Sequence, residues 1–83
     1  PIKTKIGFSI IPNPSSNSID ISMNGANFNK VIIASIDGKI VDNINVENKD
    51  SLYIDISYLK SGIYLVSVTA DDGKIYTEKL IKR

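Results

Sequence analysis

Few side chains in this sequence could carry chemistry. It has no His and no Cys, which removes the commonest general base, the commonest zinc ligand and every thiolate route. The carboxylates fall into two groups. Asp20 and Asp55 sit between isoleucines in the alternating runs Ile19-Asp20-Ile21 and Ile54-Asp55-Ile56, as residues on the solvated face of a sheet do. Asp37, Asp71 and Asp72 read as turn formers, because Asp tolerates left-handed backbone and bonds its own main chain. Asp71-Asp72-Gly73 hints at calcium, but the oxygen spacing of an EF-hand loop is missing. Serines are frequent, yet a serine nucleophile needs a base beside it. No glycine-rich phosphate loop is present. The expectation is a chain with no catalytic residues, no metal site and no cofactor.

The remaining polar and aromatic candidates point to surfaces. With no Trp, the aromatic residues are Phe8, Phe28, Tyr53, Tyr58, Tyr64 and Tyr76. Tyr53 and Tyr58 are candidates for an exposed sugar-binding face, and Tyr64 is expected in the core with its hydroxyl bonded at the rim. Lys79, Lys82 and Arg83 make a cationic end. By position alone they are a solvated strand edge, frayed at the terminus and contributing little to folding. Net charge is +1 with the signs interspersed, which argues against a nucleic-acid partner, since that calls for a basic face. No apolar run approaches the ~18 residues of a membrane span, and no signal-peptide h-region is visible. A chain opening on Pro1 is expected to be a fragment or a processed piece.

The elements that must position these residues are short strands. Residues 1–7 read as a flexible lead-in, leaving 8–83 as one domain. Phe8 to Ile11 is a strand, broken by Pro12-Asn13-Pro14-Ser15-Ser16-Asn17, whose prolines cannot donate to a ladder. Ser18 to Ser22 alternates with Ile19 and Ile21 inward, and Asn24-Gly25 turns the chain. Lys30 to Ile36 and Lys39 to Val46 flank Asp37-Gly38, which predicts a two-residue type I′ hairpin. Glu47 to Asp50 reads as a polar loop. Leu52, Ile54 and Ile56 share one face of the next strand, and Tyr58-Leu59-Lys60 suggests a single helical turn. Gly62 to Ala70 puts Tyr64, Val66 and Val68 on one face and Ile63 and Leu65 on the other, which predicts a central strand covered on both sides. Asp72-Gly73 then turns into Lys74 to Lys82, where a three-residue loop sets Tyr64 opposite Leu80. About seven strands with turns every ~10 residues are the spacing of an all-β sandwich.

Four stretches, taken in order, resemble a known family. Pro12-Asn13-Pro14-Ser15 follows a hydrophobic strand. Val31 to Val41 reads Val-Ile-Ile-Ala-Ser-Ile-Asp-Gly-Lys-Ile-Val. Ile54 to Val66 contains Tyr-Leu-Lys-Ser-Gly-Ile-Tyr-Leu-Val, and the chain closes on Glu-Lys-Leu-Ile-Lys-Arg. This pattern, from Phe8 to Arg83, resembles the type A C-terminal sorting domain of the type IX secretion system of Bacteroidetes-type bacteria. The chain departs from it at Ile11 and Ala34, where the family usually carries aromatics. The resemblance implies an immunoglobulin-like β-sandwich of about seven antiparallel strands at the tail of a larger secreted protein. It implies a non-enzymatic signal read by an outer-membrane translocon and removed by a sortase-like peptidase, with an N-terminal cargo carried through the periplasm and released or attached at the cell surface. Carried over by position, the recognition residues are Asn13, Pro14, Gly62, Tyr64, Lys79, Lys82 and Arg83. The alternative function is an immunoglobulin-like accessory or glycan-binding module of an extracellular hydrolase.

Overall fold

The computed structural model describes residues 7–83; of the lead-in expected over residues 1–7, residues 1–6 lie outside the described residues and Gly7 opens the first strand. Seven strands form: β1 (Gly7–Ile11), β2 (Ser18–Asn24), β3 (Phe28–Ser35), β4 (Ile40–Lys49), β5 (Ser51–Asp55), β6 (Gly62–Ala70) and β7 (Ile75–Lys82). They make two sheets, one in the order β1-β2-β5 and one in the order β4-β3-β6-β7, and every named strand pair is antiparallel. The sheets stack as a sandwich, the arrangement that buries one face of each.

The alternating isoleucines and valines determine which face that is. Ile19, Ile21 and Ile54 from the first sheet meet Val31, Ile33, Tyr64, Val66 and Val68 from the second, and all are buried. Ile56 joins them from just beyond β5. Phe28, Leu80, Ala70, Met23 and Ile10 complete the layer, and Leu59 plugs one end from the β5–β6 loop. In place of the helical turn expected at Tyr58-Leu59-Lys60, that loop holds a tight turn over residues 56–59, closed by Leu59 N–H donating to the Ile56 carbonyl at 3.0 Å.

Three further expectations need correction. The hairpin at Asp37-Gly38 is not type I′. Ser35 N–H donates to Lys39 O at 2.8 Å and Gly38 N–H to Ser35 O at 2.9 Å, leaving a three-residue loop. A type I′ turn needs φ > 0 at both central residues; here Gly38 takes φ 93° and Asp37 is not among the positive-φ residues. Asp37 instead accepts from Ser35 Oγ and from Lys39 N–H. The β6–β7 loop repeats this geometry, with Ala70 N–H on Lys74 O and Gly73 at φ 90°, and Tyr64 does stand opposite Leu80.

Glu47 to Lys49 form no loop either. They extend β4 until Lys49 pairs with Phe28, across a bulge that skips from Lys30↔Asn45. Asn48 turns with φ 53°, its side chain accepting from Asn27 Nδ2 at 3.0 Å. The pairing of Lys49 with Phe28, which polarity does not report, carries β4 through this segment despite the left-handed residue at Asn48.

Strand β6 lies between β3 and β7, yet only one of its faces is covered. Ile63 is 42% exposed and Leu65 only half-buried. A strand can be central in its hydrogen-bond ladder while its sheet still faces water on one side, as antiparallel sheets commonly do.

Candidate functional site

The residues singled out by sequence converge on β7 and its two neighbours. On one side β7 pairs with β6, placing Gly62 against Lys82 and Tyr64 against Leu80. On the other side β7 is the last strand of its sheet, and an edge strand leaves a row of backbone groups without a ladder partner. The proline-flanked segment after β1 occupies that edge.

Its composition dictates how. Pro12 and Pro14 have no N–H to offer, so only residues 13 and 15 can donate. Asn13 does so through its side chain. Its Nδ2 donates to the Lys79 carbonyl at 2.6 Å and its Oδ1 accepts the Ile81 N–H at 2.9 Å. The carboxamide thereby acts as a peptide unit, presenting a donor and an acceptor together. Ser15 continues with its main chain. Its N–H donates to Ile81 O and its carbonyl accepts Arg83 N–H, each at 2.9 Å, forming an isolated parallel bridge to Lys82. The Ser15 hydroxyl bonds the Ser18 carbonyl at 2.5 Å. The peptide bonds before Pro12 and Pro14 are both cis.

This docking overturns the expectation of a frayed tail. Lys82 is 7% exposed. It shares the inward face with Leu80, and its Nζ reaches back to the Arg83 carbonyl at 2.8 Å. The aliphatic stem is covered while the ammonium ends on an oxygen, the usual compromise for a buried lysine. Sequence inspection missed Ser15, which is 4% exposed. It lies outside any alternating run, and no local pattern marks it as buried.

The seven positions are therefore of two kinds. Asn13, Pro14, Gly62, Lys79 and Arg83 are exposed, whereas Tyr64 and Lys82 are buried. Tyr64 behaves as expected of a core tyrosine, its ring inside and its hydroxyl donating to Lys60 O at 2.7 Å. Gly62 takes φ +156°, and a Cβ there would meet nothing within 4 Å, so its constraint is torsional and not steric. On the outward face beside them, Ile63 stands opposite Ile81 and Leu65 opposite Lys79.

Elsewhere, an open groove is lined by Lys39, Ile40, Val41, Tyr58 and Lys60, among others. Tyr58 donates to Asp42 there. Partial burial, together with that bond to a carboxylate, pushes its hydroxyl up to about 12. Tyr53 stands on β5 in the other sheet, so the two exposed tyrosines share no strand or row. Asp55 accepts the Ser57 N–H at 2.9 Å, and its bonds to the side chain and main chain of Ser57 hold its carboxyl below the usual range. Asp37 is lowered likewise by Ser35 and Lys39. Both are turn-forming carboxylates. Among the described residues, no three of His, Cys, Asp and Glu gather as metal ligands would.

Fold and site together define a small antiparallel β-sandwich whose C-terminal strand is docked by a segment from near the other end of the chain. Among solved structures, CopC from Methylosinus trichosporium shares the fold, with a TM-score of 0.54 and 17% identity over 92% of this chain and 91% of that one. The family described as the secretion system C-terminal sorting domain matches residues 9–83, and this chain belongs to that family. It is a sorting signal of the type IX system, not a catalytic unit, and such a signal marks a secreted or cell-surface cargo. An ulvan lyase of Nonlabens ulvanivorans is 37% identical over 73 residues, 87% of this chain. The chain spans only 14% of that relative's length.

Proposed function

We propose that this domain, residues 8–83 behind a lead-in of residues 1–7 whose last residue already opens β1, directs an N-terminal cargo from the periplasm across the outer membrane. The cargo is then released or attached at the cell surface, and a sortase-like peptidase removes the domain. The translocon reads the surface built by Pro14, Gly62, Lys79 and Arg83, with Asn13 bonded to the strand that carries it. Tyr64 and Lys82, buried beneath it, hold that surface in shape. The observation that carries this reading is the docking of the chain end: Asn13 and Ser15 bind Lys79, Ile81 and Arg83, so the family's terminal motif is presented as a fixed strand.

The test fuses residues 1–83 to a periplasm-directed reporter in a host with a type IX system. Lys79→Ala combined with Arg83→Ala removes two exposed charges and leaves every backbone bond of β7 in place. Surface delivery should fall at least tenfold, with reporter held in the periplasm. Stability should change by no more than ~0.5 kcal/mol, as for ordinary surface substitutions. Equal delivery by the two fusions would show that these charges are only a solvated edge.

A further inference from the structure

We propose that Asn13 and Ser15 are positioning residues for the sorting signal. They act by pinning the C-terminal strand, so that what is recognised is a docked tail and not a linear one. The functional half of this proposal rests on the sorting reading above; the docking half stands on the geometry alone.

The argument is one of backbone accounting. A sheet-edge strand at a chain terminus has two reasons to fray: one side lacks a ladder, and few residues follow to hold it. Along the open side of β7, the groups that face outward near the end are Lys79 O, Ile81 N–H, Ile81 O and Arg83 N–H. Each is taken by residues 13 and 15. The alternation of prolines restricts the docking to these two residues, because Pro12 and Pro14 have no donor. Asn13 is exposed, and its side chain places one amide N–H on Lys79 O and its carbonyl oxygen on the Ile81 N–H. Asn13 suits an indirect role: its amide replaces a missing neighbouring strand. Ser15 is buried and offers a partner no side chain, yet it makes the bonds nearest the terminus. The tail is therefore fixed by residues 66 and 68 positions away in sequence.

The experiment measures amide exchange by NMR on the 83-residue chain alongside delivery of the matching fusions. The variants are Asn13→Ala, Asn13→Asp and Ser15→Pro. Asn13→Ala should speed exchange at the Ile81 and Arg83 amides at least tenfold while the β3–β6 ladder stays protected, and delivery should fall with it. Asn13→Asp keeps an acceptor for the Ile81 N–H, so it should regain protection at Ile81 and part of the delivery. Ser15→Pro removes the main-chain donor to Ile81 and the hydroxyl that bonds the Ser18 carbonyl, at a residue that is buried. It should loosen the tail and lower delivery as Asn13→Ala does.

Lost delivery in Asn13→Ala with unchanged exchange at Ile81 would make Asn13 a direct contact and overturn the proposal. A loosened tail with full delivery would overturn it from the other side. If Ser15→Pro unprotects the β3–β6 ladder as well, the decision falls to the two Asn13 variants. Failure of the unaltered fusion to reach the surface would sink the sorting reading and this functional half with it, whereas the exchange data would still decide whether Asn13 docks the tail.

Discussion

Tyr58 is 56% exposed, yet its hydroxyl is committed to Asp42. Its partial burial and that bond favour the neutral phenol and push its pKa up to about 12. The folded value lies above the ordinary value of about 10, so this group's contribution to stability is complete below pH ~10 and is lost as pH rises towards 12. A tyrosinate absorbance titration of the folded chain should show a step near 12 that disappears in Tyr58→Phe. Gly62 poses a different residue-scale question. Its φ of +156° falls where side chains are disfavoured, so Gly62→Val should cost ~1–3 kcal/mol through backbone strain, read as a lower urea midpoint. An unchanged midpoint would show that the backbone relaxes freely at this position. Gly62 was legible as a special residue because it follows a turn and opens a strand. Ser15 was not, because its burial comes from β7 and not from its own neighbours.

At the scale of elements, β7 is the strand whose behaviour local sequence describes worst. Its inward face reads Tyr76, Glu78, Leu80, Lys82, a mixture that no amphipathic pattern would select. Its position comes from partners: β6 along its full length and the residue 13–15 segment at its end. Deleting Lys82 and Arg83 therefore removes more than two charges. It breaks the Gly62 pairing and the Arg83 N–H bond to Ser15. At ~0.5–1.5 kcal/mol net per hydrogen bond, the truncated chain should lose ~1–3 kcal/mol, measured by denaturant unfolding. No loss at all would mean that the terminal bridge makes no net contribution. The two Asp-Gly loops make a related point about hairpins. Asp-Gly correctly placed both turns, but the dipeptide alone does not separate a two-residue loop from a three-residue loop with glycine last. The strand register on either side decides that.

For the whole molecule, stability rests on one thin apolar layer. A chain of 83 residues buries only roughly 60% of its unfolded surface, so each core side chain matters. Ile33 is fully buried and sits in the middle of β3 between β4 and β6. Ile33→Ala should cost ~2–5 kcal/mol through lost transfer energy and the cavity left behind. That is a large share of the ~5–15 kcal/mol typical of a domain. Calorimetry should show a markedly lower Tm with the β-rich far-UV spectrum retained below it.

The sandwich itself was determined by sequence. Alternation at Ile19 and Ile21, at Ile54 and Ile56, and at Tyr64, Val66 and Val68 assigns each strand an inward face by itself. Each such assignment needs only the two-residue period of an extended chain, so all of these residues are found buried. The family motifs were legible for the same reason, as short runs in fixed order. Only the tertiary structure decided what those motifs do to one another. Asn13 and Ile81 are 68 residues apart, and their bond depends on which strand becomes the sheet edge. It depends also on how the two prolines leave residues 13 and 15 alone to meet that edge. Edge placement is a property of the assembled ladder and is carried by no single stretch of sequence. For that reason a terminus that reads as a loose cationic end is a pinned strand, with Lys82 buried beneath the docked segment.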